Sequence, residues 1–376
     1  MSKANLVGLL PDDLRTTCMQ WGEPAFRTKQ ICDWVYRKKA LSFQEMSNLS
    51  SRLRAGLAGR FSLGLSRLIR EQVSRDGCRK YLLQLSDGET IESVLIPARN
   101  RITLCVSVQA GCPVQCPFCA TGLSGFSRNL ASSEIVEQVW LLERHTGLKI
   151  THLVFMGMGE PLLNYEVLSH ALRVINSPDG LGIGVRHITI STIGIPEAMV
   201  RLAREWNQVN LALSLHAPND HLRNRLVPIN RVYPIQPVMR ALKAHIKETG
   251  RRATIEYTLW REVNDLLVHA RQLADLLPDS LVHVNLIAGN QVPGSPLLPA
   301  LMSRVQAFAR ILTDRNFAVT IRKARGMDIQ AACGELRSAQ SGETNRCTEP
   351  ESPREKSFPA IKRNRSSGES VRRRQR

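Results

Sequence analysis

The sequence predicts an α/β fold: a partial barrel of parallel strands, preceded by a small helical domain and followed by a disordered basic tail. Two observations carry that prediction. From residue 103 to residue 322, strand-like and helix-like periodicities alternate, as in chains that build parallel sheets. Several of the strands are apolar on one side and polar on the other, whereas strands covered by helices on both faces are apolar on both. Polar sides that share an interior suit a barrel that encloses a polar ligand and is splayed to admit a large substrate.

Residues 1–70 read as a helical N-terminal domain. Between Phe26 and Tyr36, Ile31, Trp34 and Val35 fall on one helical face, with Lys29, Arg37, Lys38 and Lys39 supplying positive charge nearby. Residues 71–97 form a hairpin extension, because apolar and polar residues alternate from Tyr81 to Pro97 around an Asp87-Gly88 turn. The core spans 98–336. Its expected strands are Thr103–Gln109, Ile150–Met156, His187–Ser191, Asn210–His216, Thr254–Leu259, Val282–Ile287 and Ala318–Arg322. Helical patterns fill the gaps: Glu134–His145, Tyr165–Ile175, Pro196–Trp206, Pro234–Lys247, Leu266–Leu277 and Leu301–Thr313. In the fourth strand Leu211, Leu213 and Leu215 share one side, leaving Ser214 and His216 on the other. Ser191, and the set Thr254, Glu256 and Thr258, face inward by the same alternation. Residues 337–376 are rich in Ser, Glu, Arg and Pro with almost no large apolar side chain, which predicts disorder. The run Arg372-Arg373-Arg374 there suits loose contact with RNA.

Composition narrows the function. The 376 residues are 43% hydrophobic, and no apolar run approaches the roughly 18 residues of a membrane span. The stretch Met1–Leu10 lacks the long apolar region of a secretory signal, so a cytoplasmic location is expected. The net charge is +18, and the tail after Leu336 carries only 11 of the basic residues against 5 acidic ones, so the folded body keeps most of the excess. That charge favours a polyanionic partner, nucleic acid before membrane, since no strongly amphipathic basic helix is evident. In a cytoplasmic chain the nine cysteines read as metal or catalytic ligands rather than disulfides. Cys18, Cys32, Cys78 and Cys347 are scattered, but three others crowd together.

Those three are Cys112, Cys116 and Cys119, spaced C-x3-C-x2-C in a loop that follows the first barrel strand. Thiolates are the soft ligands an iron–sulfur cluster needs, and three of them on a four-iron cluster leave one iron open to a substrate. A structural zinc site, the alternative, would want a fourth Cys or His close by, and the next histidine downstream is His145. At the end of the second strand, Phe155-Met156-Gly157-Met158-Gly159-Glu160-Pro161 combines glycines that allow close backbone approach with a carboxylate that can accept hydrogen bonds.

With these residues the chain resembles the radical S-adenosylmethionine (SAM) enzymes. The resemblance implies a partial (β/α)6 radical SAM barrel and a [4Fe-4S] cluster on Cys112, Cys116 and Cys119. The open iron would chelate SAM, with Gly159, Glu160, Ser191, Ser214, Leu215, His216 and Asn290 as the remaining SAM contacts.

From about residue 10 to residue 336 the chain resembles, more narrowly, the RlmN/Cfr group of radical SAM RNA methyltransferases. The most specific matches are Leu104-Cys105-Val106-Ser107, Gly125-Phe126-Ser127-Arg128-Asn129-Leu130, Gly157-Met158-Gly159-Glu160-Pro161-Leu162-Leu163-Asn164, His216-Ala217-Pro218-Asn219 and Arg325–Gly334. The resemblance implies methylation of carbon 2 of an adenosine in 23S rRNA and of one in tRNA next to the anticodon. It further implies an RNA-binding role for residues 1–70, two SAM molecules per turnover, an electron donor such as flavodoxin or ferredoxin, and a monomer. In the implied mechanism Cys333 is first methylated, Glu92 removes the ring proton, and Cys105 attacks Cys333 through a transient disulfide. Cys105 also shares its strand side with Thr103, Ser107 and Gln109, which turns it toward the polar interior. One departure stands out: Ala288 and Gly289, just before Asn290, occupy positions where the family pattern leads us to expect bulkier residues. Rival readings are a carbon-8 methyltransferase of the Cfr type, a sulfur-inserting radical SAM enzyme, and a non-catalytic, zinc-stabilised RNA-binding protein. The sulfur-inserting class generally needs a second cysteine group, and the remaining cysteines are too dispersed to supply one.

Overall fold

The structure is a computed structural model and describes residues 3–278 and 281–337. The expected tail lies outside the described residues from position 338 onward, and Cys347 and Arg372–Arg374 lie there with it. The chain opens with β1 (Ala4–Asn5), α1 (Pro11–Gln20), α2 (Phe26–Cys32), a π-helical turn at Asp33–Arg37, α3 (Ser51–Arg60) and β2 (Phe61–Ser62). Pro11 starts α1 where a missing N–H costs nothing, and Asp12 and Asp13 suit its positive end. The Ser50 hydroxyl caps α3 by accepting the amide of Leu53 at 3.2 Å. Ile31 and Val35 are buried as the periodicity predicts.

The hairpin follows as β3 (Arg67–Val73), β4 (Arg79–Gln84) and β5 (Thr90–Ala98). The core then runs β6 (Arg101–Cys105), β7 (Gln109–Gly111), α4 (Ala120–Leu123), β8 (Phe126–Asn129), α5 (Ser132–Thr146), β9 (His152–Phe155) and α6 (Tyr165–Asn176). It continues with β10 (Ile188–Thr192), α7 (Pro196–Glu205), β11 (Asn210–Ser214), α8 (Asp220–Leu226), α9 (Ile235–Thr249) and β12 (Ala253–Leu259). Last come α10 (Leu267–Leu276), β13 (Val282–Ala288), α11 (Met302–Asp314) and β14 (Ala318–Arg322). Strand order is β14-β13-β12-β11-β10-β9-β6-β5-β4-β3. Every ladder from β6 across to β14 is parallel, and the three from β6 back to β3 are antiparallel. This is the expected α/β fold with a partial, open barrel: among the described residues the edge strands β3 and β14 do not pair.

Two details differ from the sequence-based expectation. The hairpin starts at Arg67 and is continuous with the core sheet through the β5–β6 ladder. The strand expected over Thr103–Gln109 ends at Cys105, and Gln109–Gly111 pairs instead with β8. The side-chain amide of Gln138 explains the break. It accepts the amide of Ser107 and donates to the Ser107 carbonyl, both at 2.8 Å, so the backbone leaves the ladder there with its polar groups satisfied.

Helix α5 also anchors the N-terminal helices. The buried carboxylate of Glu137 accepts the amides of Leu65 at 2.7 Å and Ser66 at 3.0 Å, and takes the Ser66 hydroxyl and the Asn5 amide as well. One turn on, the Trp140 indole donates to the Val35 carbonyl at 2.6 Å. Replacing Glu137 with Ala leaves those donors unmatched and is expected to cost about 2–4 kcal/mol in urea unfolding. A loss under about 0.5 kcal/mol would show that the Glu137 carboxylate does not hold the N-terminal segment to α5.

Candidate active site

Close backbone packing shapes the cysteine loop. Gly111 sits at φ +80, and a Cβ there would lie 2.1 Å from the Gly125 carbonyl oxygen, while one at Gly122 would lie 2.8 Å from the Cys116 amide. The Cys112 amide donates to that same Gly125 carbonyl at 2.8 Å. So folded, the loop brings Cys112, Cys116 and Cys119 to one cleft, at the C-terminal ends of β9, β10, β11 and β12. Parallel α/β sheets place their sites at that end. The cleft's atom-free space, counted with its open mouth, is about 1080 Å³.

The donor set fits an iron–sulfur cluster. None of the three thiols is in a disulfide, and their neighbours are apolar, among them Val114, Leu222, Val227 and Trp260. Burial pushes the Cys112 thiol up to about 12, and raises Cys116 and Cys119 too. Such thiols give up their protons only to a cation that offsets the lost hydration. Among the described residues no three His, Cys, Asp or Glu side chains gather tightly enough to share a single ion.

Across the cleft, glycines again permit close approach. A Cβ at Gly157 would meet the Val106 carbonyl oxygen at 2.7 Å, and Gly159, at φ +100, has Gln109 Cβ 2.6 Å from where its own would be. The Glu160 carboxylate is buried and accepts the amides of Leu162 at 3.0 Å and Ile193 at 2.9 Å, tying the β9 and β10 turns together. Burial outweighs these bonds and pushes its carboxyl up to about 7. The Ser191 and Ser214 hydroxyls meet at 3.2 Å. His216 adopts φ +58 and accepts the Thr258 amide on Nδ1 at 3.1 Å, which leaves the proton on Nε2. Burial, then the charge of Arg223, lower its pKa to about 3, so His216 is a neutral donor.

Leu215 behaves differently. Its side chain is fully buried in the core and does not line the cleft. Asn290 does line it, and its amide donates to the Cys333 carbonyl at 3.1 Å. The small residue before it has a reason: a Cβ at Gly289 would fall 2.4 Å from the buried Trp260 ring, which stacks on Phe118 with centroids 5.7 Å apart.

Cys333, the exposed one among the described cysteines, also lines the cleft. Its segment is fastened at several points. The Ala120 amide donates to the Gly334 carbonyl at 2.7 Å, Lys80 donates to the Gln330 carbonyl at 3.1 Å, and Asp76 accepts the Gly326 amide at 3.0 Å. Cys105 is buried beneath, and burial, with Cys333 next in influence, pushes its thiol up to about 12. Glu92 is buried as well. Its carboxylate meets Lys80 Nζ at 3.1 Å and the Arg337 amide at 2.9 Å, and burial raises its pKa against the pull of Lys80. Neither Cys105 nor Glu92 lines the cleft itself.

Two groups near the cleft were given no role from the sequence. Arg223 is fully buried and donates to Leu215 O at 3.1 Å, Asn230 Oδ1 at 2.8 Å and the Ile193 carbonyl. Glu256 takes the Asn285 amide at 3.0 Å and faces Arg322 at 3.8 Å. The inward alternation of β12 signalled Glu256, but Arg223, on a short polar helix, reads from sequence as solvated.

Comparison with known proteins places this geometry. Residues 106–274 match the Radical SAM superfamily, and residues 4–63 match the ribosomal RNA large subunit methyltransferase N-terminal domain. The chain is 47% identical over 334 residues to the probable dual-specificity RNA methyltransferase RlmN of Thermotoga neapolitana, with 89% of this chain and 97% of that one covered. It is 42% identical over 345 residues to the protein of the same description from Geobacillus kaustophilus, with 91% and 94% covered. A radical SAM methyltransferase from Sphaerobacter thermophilus superposes with a TM-score of 0.85 at 44% identity, covering 89% of this chain and 99% of that one.

The fastening of the Cys333 segment is testable through Asp76. Desolvation works against its charge, but the amides of Cys78 and Gly326 prevail and hold the carboxyl well below the usual range. The stability it contributes is therefore present above its unfolded pKa of about 3.9 and is lost as pH falls through the lower folded value. Amide exchange at Gly326 is expected to quicken in Asp76→Asn at neutral pH, and in the parent protein only under strong acid. Equal protection in both at neutral pH would rule out this anchor.

Proposed function

The chain belongs to the RlmN family of radical SAM RNA methyltransferases, and on that premise we propose that it methylates carbon 2 of an adenosine in 23S rRNA and of one in tRNA next to the anticodon. Carbon 2 of adenine is electrophilic, so direct methyl transfer from SAM, which needs a nucleophile, does not serve there. A carrier thiol solves that problem, and the exposed Cys333 beside the cleft is the observation that carries the reading. Cys112, Cys116 and Cys119 would hold a [4Fe-4S] cluster, and Gly159, Glu160, Ser191, Ser214, His216 and Asn290 would receive SAM, while Leu215, whose N–H is bonded to the Glu256 carbonyl and whose own carbonyl accepts Arg223, is left out of that set. Bound there, the cluster and SAM supply methyl groups and a hydrogen-abstracting carbon radical, two SAM molecules being used per turnover.

The protein's own groups then have distinct tasks. Cys333 Sγ carries the one-carbon unit and remains bonded to it while that carbon joins adenine. Glu92 takes the ring proton, a role suited to a carboxyl whose pKa burial has raised. Lys80 couples that carboxylate to the loop bearing Cys333, since one ammonium reaches both Glu92 and the Gln330 carbonyl. Cys105 Sγ, its proton lost to solvent, attacks Cys333 Sγ, forming the S–S bond as the S–C bond breaks; the bonding pair stays on the departing carbon, which takes up a proton to become the methyl group of the released base. A thiol reductant must then reopen the disulfide, and a flavodoxin or ferredoxin would feed electrons to the cluster. We place this chemistry in the cytoplasm and in a monomer. No helix among the described residues is long and apolar enough to cross a membrane.

Two measurements test the reading. Replacing Cys112, Cys116 and Cys119 by Ala is expected to abolish the brown colour, the acid-labile sulfide and reductive SAM cleavage together. Retention of a single zinc and no sulfide in the parent protein would favour a non-catalytic RNA-binding role instead. Mass spectrometry of 23S rRNA and tRNA from a deletion strain should find 2-methyladenosine only when the intact gene, and not its Cys333→Ala form, is restored. Appearance of 8-methyladenosine would overturn the carbon-2 assignment.

A further inference from the structure

Arg223, in α8, is fully buried and makes no ion pair with any described residue. Its acceptors are all neutral. The Leu215 carbonyl takes Nε at 3.1 Å, Asn230 Oδ1 and the Tyr233 carbonyl take Nη1 at 2.8 and 3.4 Å, and the Ile193 carbonyl takes Nη2. Arginine keeps its proton inside a protein, so a full positive charge is held here out of water. A buried cation without a counter-charge is costly and calls for an anion.

Two carboxylates lie near, but a neutral group stands between each of them and the guanidinium. Glu160 accepts the Ile193 amide at 2.9 Å, while Arg223 takes the carbonyl of the same residue. Asp220 accepts Asn230 Nδ2 at 2.9 Å, and the oxygen of that side-chain amide accepts Arg223. The third anion-forming group is a sulfur. Leu222 and Leu226, which flank Arg223 in α8, pack with Val114 and Cys116 in one apolar cluster, and Cys112 and Cys119 pack against it. Burial works against the Arg223 charge, and among the groups that favour it Cys116 comes first, ahead of Asp220 and Glu160. With Cys112, Cys116 and Cys119 loaded, three thiolates would face this cation across apolar packing, where water screens little.

We infer that Arg223 is the resident counter-charge of the iron–sulfur cluster and holds its reduction potential within reach of a one-electron donor. The inference rests on the cluster reading and adds a residue that lies outside the cleft lining. In the step concerned, a reduced flavodoxin or ferredoxin loses one electron and the cluster gains it, with no bond made or broken. The cluster becomes one unit more negative, so a fixed cation nearby stabilises its reduced form more than its oxidised form. The same guanidinium ties together the turns after β10 and β11, and the test has to separate charge from scaffolding.

The test uses anaerobically reconstituted holoenzyme without SAM, titrated with redox mediators and followed by electron paramagnetic resonance. In Arg223→Gln the ratio of reduced to oxidised cluster at a fixed potential should fall about tenfold, a downward midpoint shift of about 59 mV for a one-electron couple. Arg223→Lys, which keeps the charge with fewer donors, should stay within about threefold of the parent ratio. Asp220→Asn should move the midpoint upward. Asp220 Oδ1 accepts both the Asn230 amide and the Ile235 N–H, and an amide oxygen can accept the same two, so the negative charge is lost while the bonds stay. Scaffolding alone predicts no pair of shifts with opposite sign. Iron, sulfide and thermal melting establish that each variant is folded and loaded. A loaded Arg223→Gln at the parental midpoint overturns the inference, as does Arg223→Lys shifted as far as Arg223→Gln, or an Asp220→Asn midpoint that does not rise. Should Arg223→Gln take up no cluster, the direction of the shift in Asp220→Asn decides. If the parent protein itself binds no iron and sulfide, the cluster reading fails, and this one with it.

Discussion

The site depends on how closely the backbone can approach itself around the cleft. Gly111, Gly122, Gly157 and Gly159 each lie where a single added carbon would strike a neighbouring main-chain or side-chain atom at under 3 Å. Without those approaches the cysteine loop would not fold back on Gly125, and the β9 turn would not seat against Val106 and Gln109. Three thiols separated along one loop converge only because the chain is thin at these points. The thiols are then held in an apolar setting that disfavours their bare anions, so they keep their protons unless a cation takes the protons' place.

Buried charge organises the rest of the cleft. Glu160 bridges the β9 and β10 turns, and Arg223 bridges the turns after β10 and β11 through the carbonyls of Ile193 and Leu215. These groups have little water, so each is nearly filled with hydrogen bonds, the condition under which a buried ion is tolerable. Their cost is offset by the precision with which strand ends carrying Ser191, Ser214 and His216 are registered against one another. The departure from family expectation at Ala288-Gly289 fits the same picture, since it admits the indole of Trp260 and lets that ring back the cysteine loop through Phe118.

The antiparallel hairpin and the last segment form a second layer of control. Strands β4 and β5 provide Lys80 and Glu92, and the connection between β3 and β4 provides Asp76. All three touch residues between 326 and 337. The hairpin is thus less an appendage than the bed on which the Cys333 segment lies. In the proposed chemistry this bed brings the base and the resolving thiol, on the paired strands β5 and β6, to a carrier at the far end of the core sequence.

Much of this was legible beforehand. The alternation of periodicities located the core strands and helices to within a few residues, because side-chain burial in a parallel sheet repeats along the chain itself. The cysteine spacing and the glycine-rich turn marked the site for the same reason: each motif is one local stretch whose chemistry is stated by its own residues. What lay beyond the sequence was long-range. The break in the first barrel strand comes from Gln138, more than thirty residues away. The burial of Arg223 comes from carbonyls in two other turns. The sequence by itself determined the fold class and the reactive groups, since both are written in neighbouring residues. Only the tertiary structure decided which groups share a cavity and which are spent on holding turns together, because those outcomes depend on distances across the sheet.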